Sequence, residues 1–336
     1  MSCSLRSLLL IALVCLASTS CRQRPAADSR DSQETASRLA SQIDGNFRAI
    51  REHAEQLTVF TAGLYGRKSE TLQNVERSKY QFASNGAFHK PLNDGGAAVW
   101  ISGAVPISPE VQEGAFLTEP LDAELIRTCR KFPEISQAYL NDKNSMNRIY
   151  PWIDTVSQYP PKMNIPEFNF YYLADQKHNP EKKGVWVNEP YLDPAGGGWM
   201  VSAIAPVHSG DTLEGVVGLD VTISAIIERY FRKLEHPVIV VTQSGIVVAA
   251  TEQAIELLEM PPLKNHKYLE TVKQDTFQPD EYNVTKSRKK AVRAMAVELI
   301  GKNTKSTPVE LSGNSFLAVA APVPELAWKV VEFTPP

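Results

Sequence analysis

One acidic side chain interrupts an apolar segment of the sequence. Asp220 lies between Leu219 and Val221, inside the run Leu213–Thr222. A carboxylate buried in a sheet is costly unless it is ion-paired or hydrogen-bonded. Asp220 is therefore the first candidate for a functional side chain. The alternative is that it points to solvent, or that it caps the helix expected directly after this run.

Asp220 belongs to a predicted hairpin. The segment Met200–Val207 is apolar and rich in β-branched residues, and residues 208–211 have the composition of a tight polar turn. The second strand is the run that carries Asp220, and it contains Gly215 and Gly218. A hairpin of two long apolar strands normally lies in the centre of an antiparallel sheet, so Asp220 is expected near the middle of one.

Aromatic side chains form a second group that suits ligand binding. Tyr150 and Trp152 flank a proline, and Tyr171 and Tyr172 end an aromatic run that begins at Phe168. The faces of such rings attract cations at close range. Each residue also has an ordinary interpretation. Tyr171 and Tyr172 could be core and edge positions of a strand, and Trp152 a packing anchor.

Composition excludes several classes of protein. The chain has 336 residues, of which 43% are hydrophobic and 22% charged, and its formal net charge is −3. These values are ordinary for globular domains, and the charge is not basic enough to indicate nucleic-acid binding. No Cys/His spacing resembles a zinc site, and His178 and His208 are isolated from other ligand types. We expect no nucleic acid, metal or cofactor.

The sequence also lacks familiar catalytic signatures. It contains neither a G-x-S-x-G nor an H-E-x-x-H motif, and Cys129 has no catalytic pattern around it. The carboxylates form no obvious pair along the sequence. We therefore expect a protein that is not an enzyme, with an unrecognised hydrolase as the alternative.

The N-terminus has the pattern of an export signal. Arg6 precedes an apolar segment, residues 8–17, that is too short to span a bilayer. Small residues and Cys21 follow, which resembles a bacterial lipoprotein signal with Cys21 as the lipidated residue. Ser18 stands where such signals usually carry leucine, so ordinary cleavage near Ala17 or Ser20 is the alternative. The expected location is periplasmic or at the cell surface, anchored to the membrane through Cys21.

Two units follow a long helix. Leu39, Ile43 and Phe47 begin an apolar stripe with helical spacing that extends to about Tyr65. A second unit with its own strands begins near His236. The segments Ala205-Pro206-Val207 and Ala321-Pro322-Val323 occur at similar points of the two units, which indicates a weak internal repeat.

The order of motifs resembles a known family. The segments PYLD, GGGWMVSAIAPV and EGVVGLDVTIS, within residues 190–224, resemble the double Cache (PDC) extracellular sensor domain. Two later segments, VIVVTQSGIVVAA and LSGNSFLAVAAPVPELAWKVVEF, resemble its membrane-proximal module. The resemblance covers roughly residues 35–336. It implies an α+β fold in which a long N-terminal helix precedes two PAS-like antiparallel-sheet modules.

The resemblance divides the chain into five parts. We expect a signal peptide at 1–20, a flexible tether at 21–32 and a long helix at 33–75. The membrane-distal module with the ligand pocket would occupy 76–235, and the membrane-proximal module 236–336.

The resemblance also implies a binding site. In the family, an Arg-x-Trp-Tyr motif supplies an Arg and a Trp for the ligand carboxylate and a Tyr for the ammonium group. A PYxD motif and a final Asp complete the site. The matching residues here are Tyr172, Tyr191, Asp193 and Asp220, although Asp193 precedes a proline and has the alternative of a turn former.

The sequence departs from that pattern at the carboxylate end. Asn169 replaces the Arg and Tyr171 replaces the Trp, so an α-carboxylate loses its charged partner. Asp220 still favours a cation, and Tyr150, Trp152, Tyr171 and Tyr172 offer aromatic faces. The resemblance therefore implies a small amine or amino-acid-like cationic metabolite.

The expected function is a ligand-binding sensor module. The usual output parts of such receptors are not seen in the sequence, so we expect signalling through a partner, a membrane receptor or kinase. One alternative is a structural or partner-binding lipoprotein with a degenerate pocket. Another is the solute-binding component of a transporter, although those proteins usually have two lobes with parallel sheets.

Overall fold

The computed structural model describes residues 27–194, 197–234, 236–261 and 279–335. The predicted signal peptide and Cys21 lie outside the described residues. The first helix, α1, spans Ala27–Gly66. It begins earlier than predicted, so residues 27–32 of the expected tether are helical. It also ends earlier than residue 75, since the short helix α2 (Lys68–Thr71) and a 3₁₀ turn (Leu72–Asn74) follow.

The apolar stripe of α1 is buried as its spacing predicts. Ile43, Phe47 and Ile50 have no exposed surface. Gly45 lies on the outer side of the helix, where a side chain would meet no atom within 4 Å. At 40 residues, α1 is roughly 60 Å long. Among the described residues, no helix combines the length and the apolar composition that crossing a bilayer requires.

An eight-stranded antiparallel sheet, here called the distal sheet, follows α1. Its strands are β1 (Gln81–Phe82), β2 (Phe88–His89), β3 (Ala98–Ile101), β4 (Ile135–Asp142), β5 (Met146–Tyr150), β6 (Val185–Leu192), β7 (Trp199–Ser209) and β8 (Thr212–Thr222). Their spatial order is β1-β2-β3-β5-β4-β8-β7-β6. The predicted hairpin is confirmed as β7 and β8, which pair along their full length.

Helices cover both faces of the distal sheet. The helices α3 (Pro109–Leu117) and α4 (Leu121–Lys131) contribute to the same core as α1. The opposite face is covered by loops and by the short helices α5 (Thr155–Gln158) and α6 (Asn169–Tyr172). The aromatic run at 168–172 is therefore a helical turn, and its interpretation as a strand is wrong.

A five-stranded antiparallel sheet, the proximal sheet, completes the fold. Its strands are β9 (Val238–Val241), β10 (Val247–Ala250), β11 (Ser306–Leu311), β12 (Asn314–Val323) and β13 (Trp328–Thr334). Helix α7 (Ile223–Ile226) continues as a π-helical turn to Phe231 and leads from β8 towards this sheet. The helices α8 (Glu252–Leu258) and α9 (Lys290–Ala296) pack on the face away from α1.

The two sheets share one strand order. Strands β5-β4-β8-β7-β6 correspond to β10-β9-β13-β12-β11. Pro206 lies just beyond the point where β6 stops pairing with β7, and Pro322 lies beyond the point where β11 stops pairing with β12. A proline has no N–H to donate, so both stand where one side of the strand has no neighbour. The internal repeat predicted from these two prolines is therefore present in the fold.

Candidate functional site

Three polar side chains form a row across the middle of the distal sheet. Gln137 of β4, Asp220 of β8 and Ser202 of β7 are directly paired in register. Because side chains alternate along a strand, Leu219 and Val221 face the α1 core, whereas Asp220 faces the opposite side. Asp220 is only 2% exposed, so it does not point to solvent.

Asp220 is not a helix cap either. The side chain of Thr222 accepts the hydrogen bond from Ala225 N, at 3.1 Å, that caps α7. Asp220 instead accepts a short hydrogen bond from the hydroxyl of Ser202. Ser202 Oγ in turn lies 2.6 Å from the hydroxyl of Tyr191. The carboxylate therefore begins a chain of hydrogen bonds that leads to β6.

A second carboxylate approaches the same place. With its amide nitrogen facing the acids, Gln137 donates to Asp220 Oδ2 at 3.2 Å and to Asp193 Oδ2 at 3.3 Å. Asp193 Oδ2 also accepts from Gly197 N at 2.7 Å. The sequence suggested no obvious pair of carboxylates, and the structure corrects that expectation. The two acids are far apart in sequence, and only the β6–β7 connection brings them together.

The electrostatics of the pair disfavour two negative charges. Burial raises the pKa of Asp220 well above its usual value, and the nearby charge of Asp193 raises it further. Hydrogen bonds from Ser202 and interaction with Tyr139 oppose the shift only in part. Without a cation, the protonated form of Asp220 is therefore favoured.

A small cavity lies between these acids and the loops. It encloses about 30 Å³, which is room for one or two water molecules. Two carboxylates line it, and no Lys, Arg or His is among its described lining residues. These residues are Gln137, Tyr139, Asn141, Asn147, Ile149, Tyr159, Met163, Phe170, Tyr191, Asp193, Pro194 and Asp220.

The side of the cavity away from the acids is polar but uncharged. Asn147 Nδ2 donates to Asn141 Oδ1 at 2.8 Å, and the Tyr159 hydroxyl donates to Asn147 Oδ1 at 3.1 Å. Sequence reasoning missed these residues. The available signal was the alternation of Gln137, Tyr139 and Asn141 with the apolar residues Ala138 and Leu140 in β4.

Tyr139 lies in the cavity wall because of a glycine on the neighbouring strand. Gly218 pairs with Tyr139 in register. A Cβ atom at Gly218 would stand 2.0 Å from Tyr139 Cζ and 2.3 Å from its hydroxyl. The Tyr139 ring therefore occupies the space that a side chain at position 218 would fill. This space lies next to Asp220.

The structure gathers three of the predicted site residues in the cavity. Asp220, Tyr191 and Asp193 all line it. Trp152 packs behind the wall, against the cluster that contains Tyr139 and Ile149. Its indole nitrogen is buried without a hydrogen-bond partner.

The predicted residues of α6 lie beside the cavity and are not among its lining residues. Tyr171 is buried in the apolar cluster below the loops, and the Tyr172 ring lies 5.2 Å from that of His178. Asn169 Oδ1 accepts from Phe170 N at 2.8 Å. Phe170, which was not predicted, is the residue of this turn that reaches the cavity and contacts Tyr191, with ring centroids 5.8 Å apart.

Tyr150 and the neighbouring arginine face the other side of the sheet. Tyr150 packs on the core beneath α1. Arg148 is fully buried and bonds the Asp122 carboxylate, the Thr118 hydroxyl and the carbonyl of Ala115. This guanidinium belongs to the attachment of α3 and α4, so it does not replace the arginine that the binding motif lacks.

Comparison with solved structures identifies proteins of similar fold. No protein-family model and no curated protein matches the sequence. The ligand-binding domain of the Pseudomonas fluorescens chemoreceptor CtaA, solved with L-alanine, is 14% identical with a TM-score of 0.53, over 92% of this chain and 96% of that chain. The same domain with L-isoleucine gives 12% identity and a TM-score of 0.52, over 92% and 94%.

An extracellular kinase domain is equally similar. The extracellular domain assigned to the histidine kinase mmHK1S-Z2 is 14% identical, with a TM-score of 0.53, over 92% of this chain and 97% of that chain. The chain therefore has the fold of this chemoreceptor ligand-binding domain and this kinase extracellular domain, and it is the α+β fold that the sequence predicts.

Proposed function

We propose that the chain is an exported sensor module that binds a small cationic metabolite beside Asp220. The fold supports this proposal, because its structural neighbours include the ligand-binding domain of a chemoreceptor and the extracellular domain assigned to a histidine kinase. The single observation that carries it is the pair of carboxylates, Asp193 and Asp220, that faces one cavity without a cationic side chain in its described lining.

The charge of the site favours an ammonium group. An ammonium ion between two carboxylates forms charge-assisted hydrogen bonds, which are the strong ones, and it allows Asp220 to ionise. The amides of Asn141 and Asn147 and the hydroxyl of Tyr159 supply uncharged polar contacts on the opposite side. A ligand that carries an amine and no negatively charged group suits this arrangement.

Binding requires the cavity to widen. Its present volume of about 30 Å³ holds water and not a metabolite. Phe170 and Met163 come from the loop-covered side, whereas Gln137, Tyr139 and Asp220 are fixed in the sheet. We infer that the segment around α6 moves outward to admit the ligand.

The mode of signalling is part of the proposal. Lipidation of Cys21 would hold the protein at a membrane, and a membrane receptor or kinase would read the bound state. Recovery of a receptor or kinase by crosslinking the intact protein in membranes supports this part. Failure to recover one in repeated crosslinking counts against it.

The test of the ligand is a thermal-shift screen of the purified chain. The probes are n-butylamine, putrescine, L-alanine and butyrate. A ligand at a hundredfold excess over its dissociation constant stabilises the native state by about 2.7 kcal/mol. We expect shifts with the amines, none with butyrate, and loss of the amine shift in Asp220→Asn.

The control variant is Asp211→Asn, because Asp211 is exposed in the turn of the same hairpin. It should keep the full shift. A shift with butyrate and none with an amine would contradict the proposed site, and so would an unchanged shift in Asp220→Asn.

A further inference from the structure

The edge strand of the distal sheet is interrupted by a bulge. Strand β6 pairs with β7 at Val187↔Ser202 and again at Tyr191↔Met200. Four residues of β6 thus span the distance covered by two residues of β7. We call the segment Asn188–Pro190 the β6 bulge. It directly precedes Tyr191 and Asp193, the two residues of this edge that enter the cavity.

The β6 bulge is bonded to the proximal sheet. Asn188 Nδ2 donates to the carbonyl of Leu326 at 3.0 Å, and the indole of Trp328 donates to the carbonyl of Asn188 at 2.8 Å. Ser244 Oγ donates to Glu189 Oε2 at 3.0 Å. These partners belong to the β12–β13 and β9–β10 turns. The bulge therefore touches both turns at one end of the proximal sheet.

The partners of the bulge are firmly held. Leu326 has no exposed surface and Trp328 only 2%. The Trp328 ring packs on Phe47 of α1, with centroids 5.9 Å apart. Glu325 beside them is ion-paired with Arg51 of α1 at 2.5 Å. Because these partners are buried and held against α1, movement of the bulge would displace the start of β13.

We propose that the β6 bulge carries the ligand signal from the cavity to the proximal sheet. This inference rests on the proposed function. When a ligand spreads the cavity, Tyr191 and Asp193 shift with the end of β6, and the bulge shifts the β12–β13 turn through its hydrogen bonds to Asn188. Coupling between two sites is reciprocal, so loosening the bulge also weakens ligand binding.

The test is hydrogen–deuterium exchange on the full chain, with putrescine or n-butylamine, whichever binds more tightly. The variant Asn188→Ala/Ser244→Ala removes two side-chain bonds of the bulge and leaves every cavity residue intact. The matched control is Asn314→Ala/Ser315→Ala, which makes the same residue changes at exposed positions at the start of β12 in the proximal sheet. Ser244→Ala alone serves if the double variant does not fold.

In the parent and the control, the amine should change exchange in β6 and also at residues 324–334. In the bulge variant, the change should stop at β6, and calorimetry should show binding about fivefold weaker. Without ligand, exchange at residues 191–193 should be faster in the bulge variant than in the control.

Two results would overturn the inference while the proposed function stands. One is a parent protein that binds the amine without any change at residues 324–334. The other is a bulge variant that behaves like the control in both affinity and exchange. If the parent binds none of the amines in calorimetry, the proposed function fails first, and this inference fails with it.

Discussion

Asp193 and Asp220 share a single hydrogen-bond donor, the side-chain amide of Gln137, which lies 3.3 Å from one carboxylate and 3.2 Å from the other. Neutral donors such as this amide, the Ser202 hydroxyl and Gly197 N supply no positive charge to balance two buried carboxylates. In the unliganded protein the protonated form of Asp220 is favoured, because burial and the charge of Asp193 both raise its pKa. A ligand with a positive charge removes the conflict.

The first prediction concerns the stability of the unliganded protein. Asp220→Asn should raise the free energy of unfolding at pH 8 by about 1 kcal/mol or more, because the amide is neutral in the buried site without taking up a proton and can still accept from Ser202. The folded pKa of Asp220 is raised, so the parent loses stability as pH rises through that pKa. The advantage of the variant should therefore grow with pH. Urea unfolding at pH 5 and pH 8 measures it, and a variant less stable than the parent at both values would contradict it.

The second prediction concerns the pH dependence of binding. In the proposed site, ionised Asp220 is the form that would bind the ammonium group, and its raised pKa favours the protonated form as pH falls. Amine affinity should therefore rise between pH 5 and pH 8, with release of protons on binding. Calorimetry in two buffers with different ionisation enthalpies counts those protons. Affinity that is constant with pH would show that Asp220 does not change its protonation state.

The third prediction concerns a different buried acid, Asp142 at the end of β4. Burial raises its pKa to about 7, although Asn144 N and Met146 N both donate to its Oδ1 at 2.8 Å. The folded pKa lies above the unfolded value of 3.8. Its contribution to stability is therefore full at low pH and is lost as pH rises from about 4 to about 7.

Asp142→Asn keeps an oxygen for both backbone donors and removes the titration. The difference in free energy of unfolding between variant and parent should increase from pH 5 to pH 7.5 and then stay constant. Chemical unfolding at four pH values measures it. A difference that does not depend on pH would mean that Asp142 titrates normally.

The fourth prediction concerns the contact of Gly218 with Tyr139. Gly218→Ala places a methyl group 2.0 Å from Tyr139 Cζ, so we expect a loss of about 1–3 kcal/mol in the free energy of unfolding. In a Tyr139→Ala background the same change should cost much less, since the clash is gone. The control is Gly45→Ala, which meets no atom within 4 Å and should stabilise the helix by about 0.5–1 kcal/mol. If the losses of unfolding free energy caused by Gly218→Ala and by Tyr139→Ala simply added in the double variant, the proposed contact would be contradicted.

The fifth prediction separates structure from binding at Arg148. Arg148→Met removes a fully buried guanidinium bonded to Asp122, Thr118 and Ala115. We expect a loss of about 3 kcal/mol or more in stability and an unchanged dissociation constant for amines. Calorimetry below the melting temperature of the variant checks the second part. A large loss of affinity with little loss of stability would make Arg148 a ligand-binding residue.

The fold was largely predictable because its signals are local. The spacing of Ile43, Phe47 and Ile50 identifies α1, and the apolar runs around residues 208–211 identify the central hairpin. The bounds of α1 were less predictable, because polar residues at 27–32 carry no stripe. A polar sequence alone does not distinguish the first turns of a helix from a tether.

The site was predictable only where its residues match the short motifs of the family that the sequence resembles. Asp220, Tyr191 and Asp193 were found, whereas Asn147 and Tyr159 depend on the register of β4 with β5 and on a loop that folds back over the sheet. The residues of α6 show a different limit. Consecutive residues of a helical turn face directions about 100° apart, so matching a linear motif did not reveal that Phe170 is the one that reaches the cavity.

The length of α1 has a consequence for the two units of the chain. One core cluster contains Phe47 together with Val201 of the distal sheet and Val330 of the proximal sheet. A chain cut near residue 235 would leave the C-terminal fragment with one apolar sheet face in water, and such a face promotes aggregation. Transplanting this fold onto another protein therefore requires both units and the helix as one piece, and neither unit can be exchanged alone.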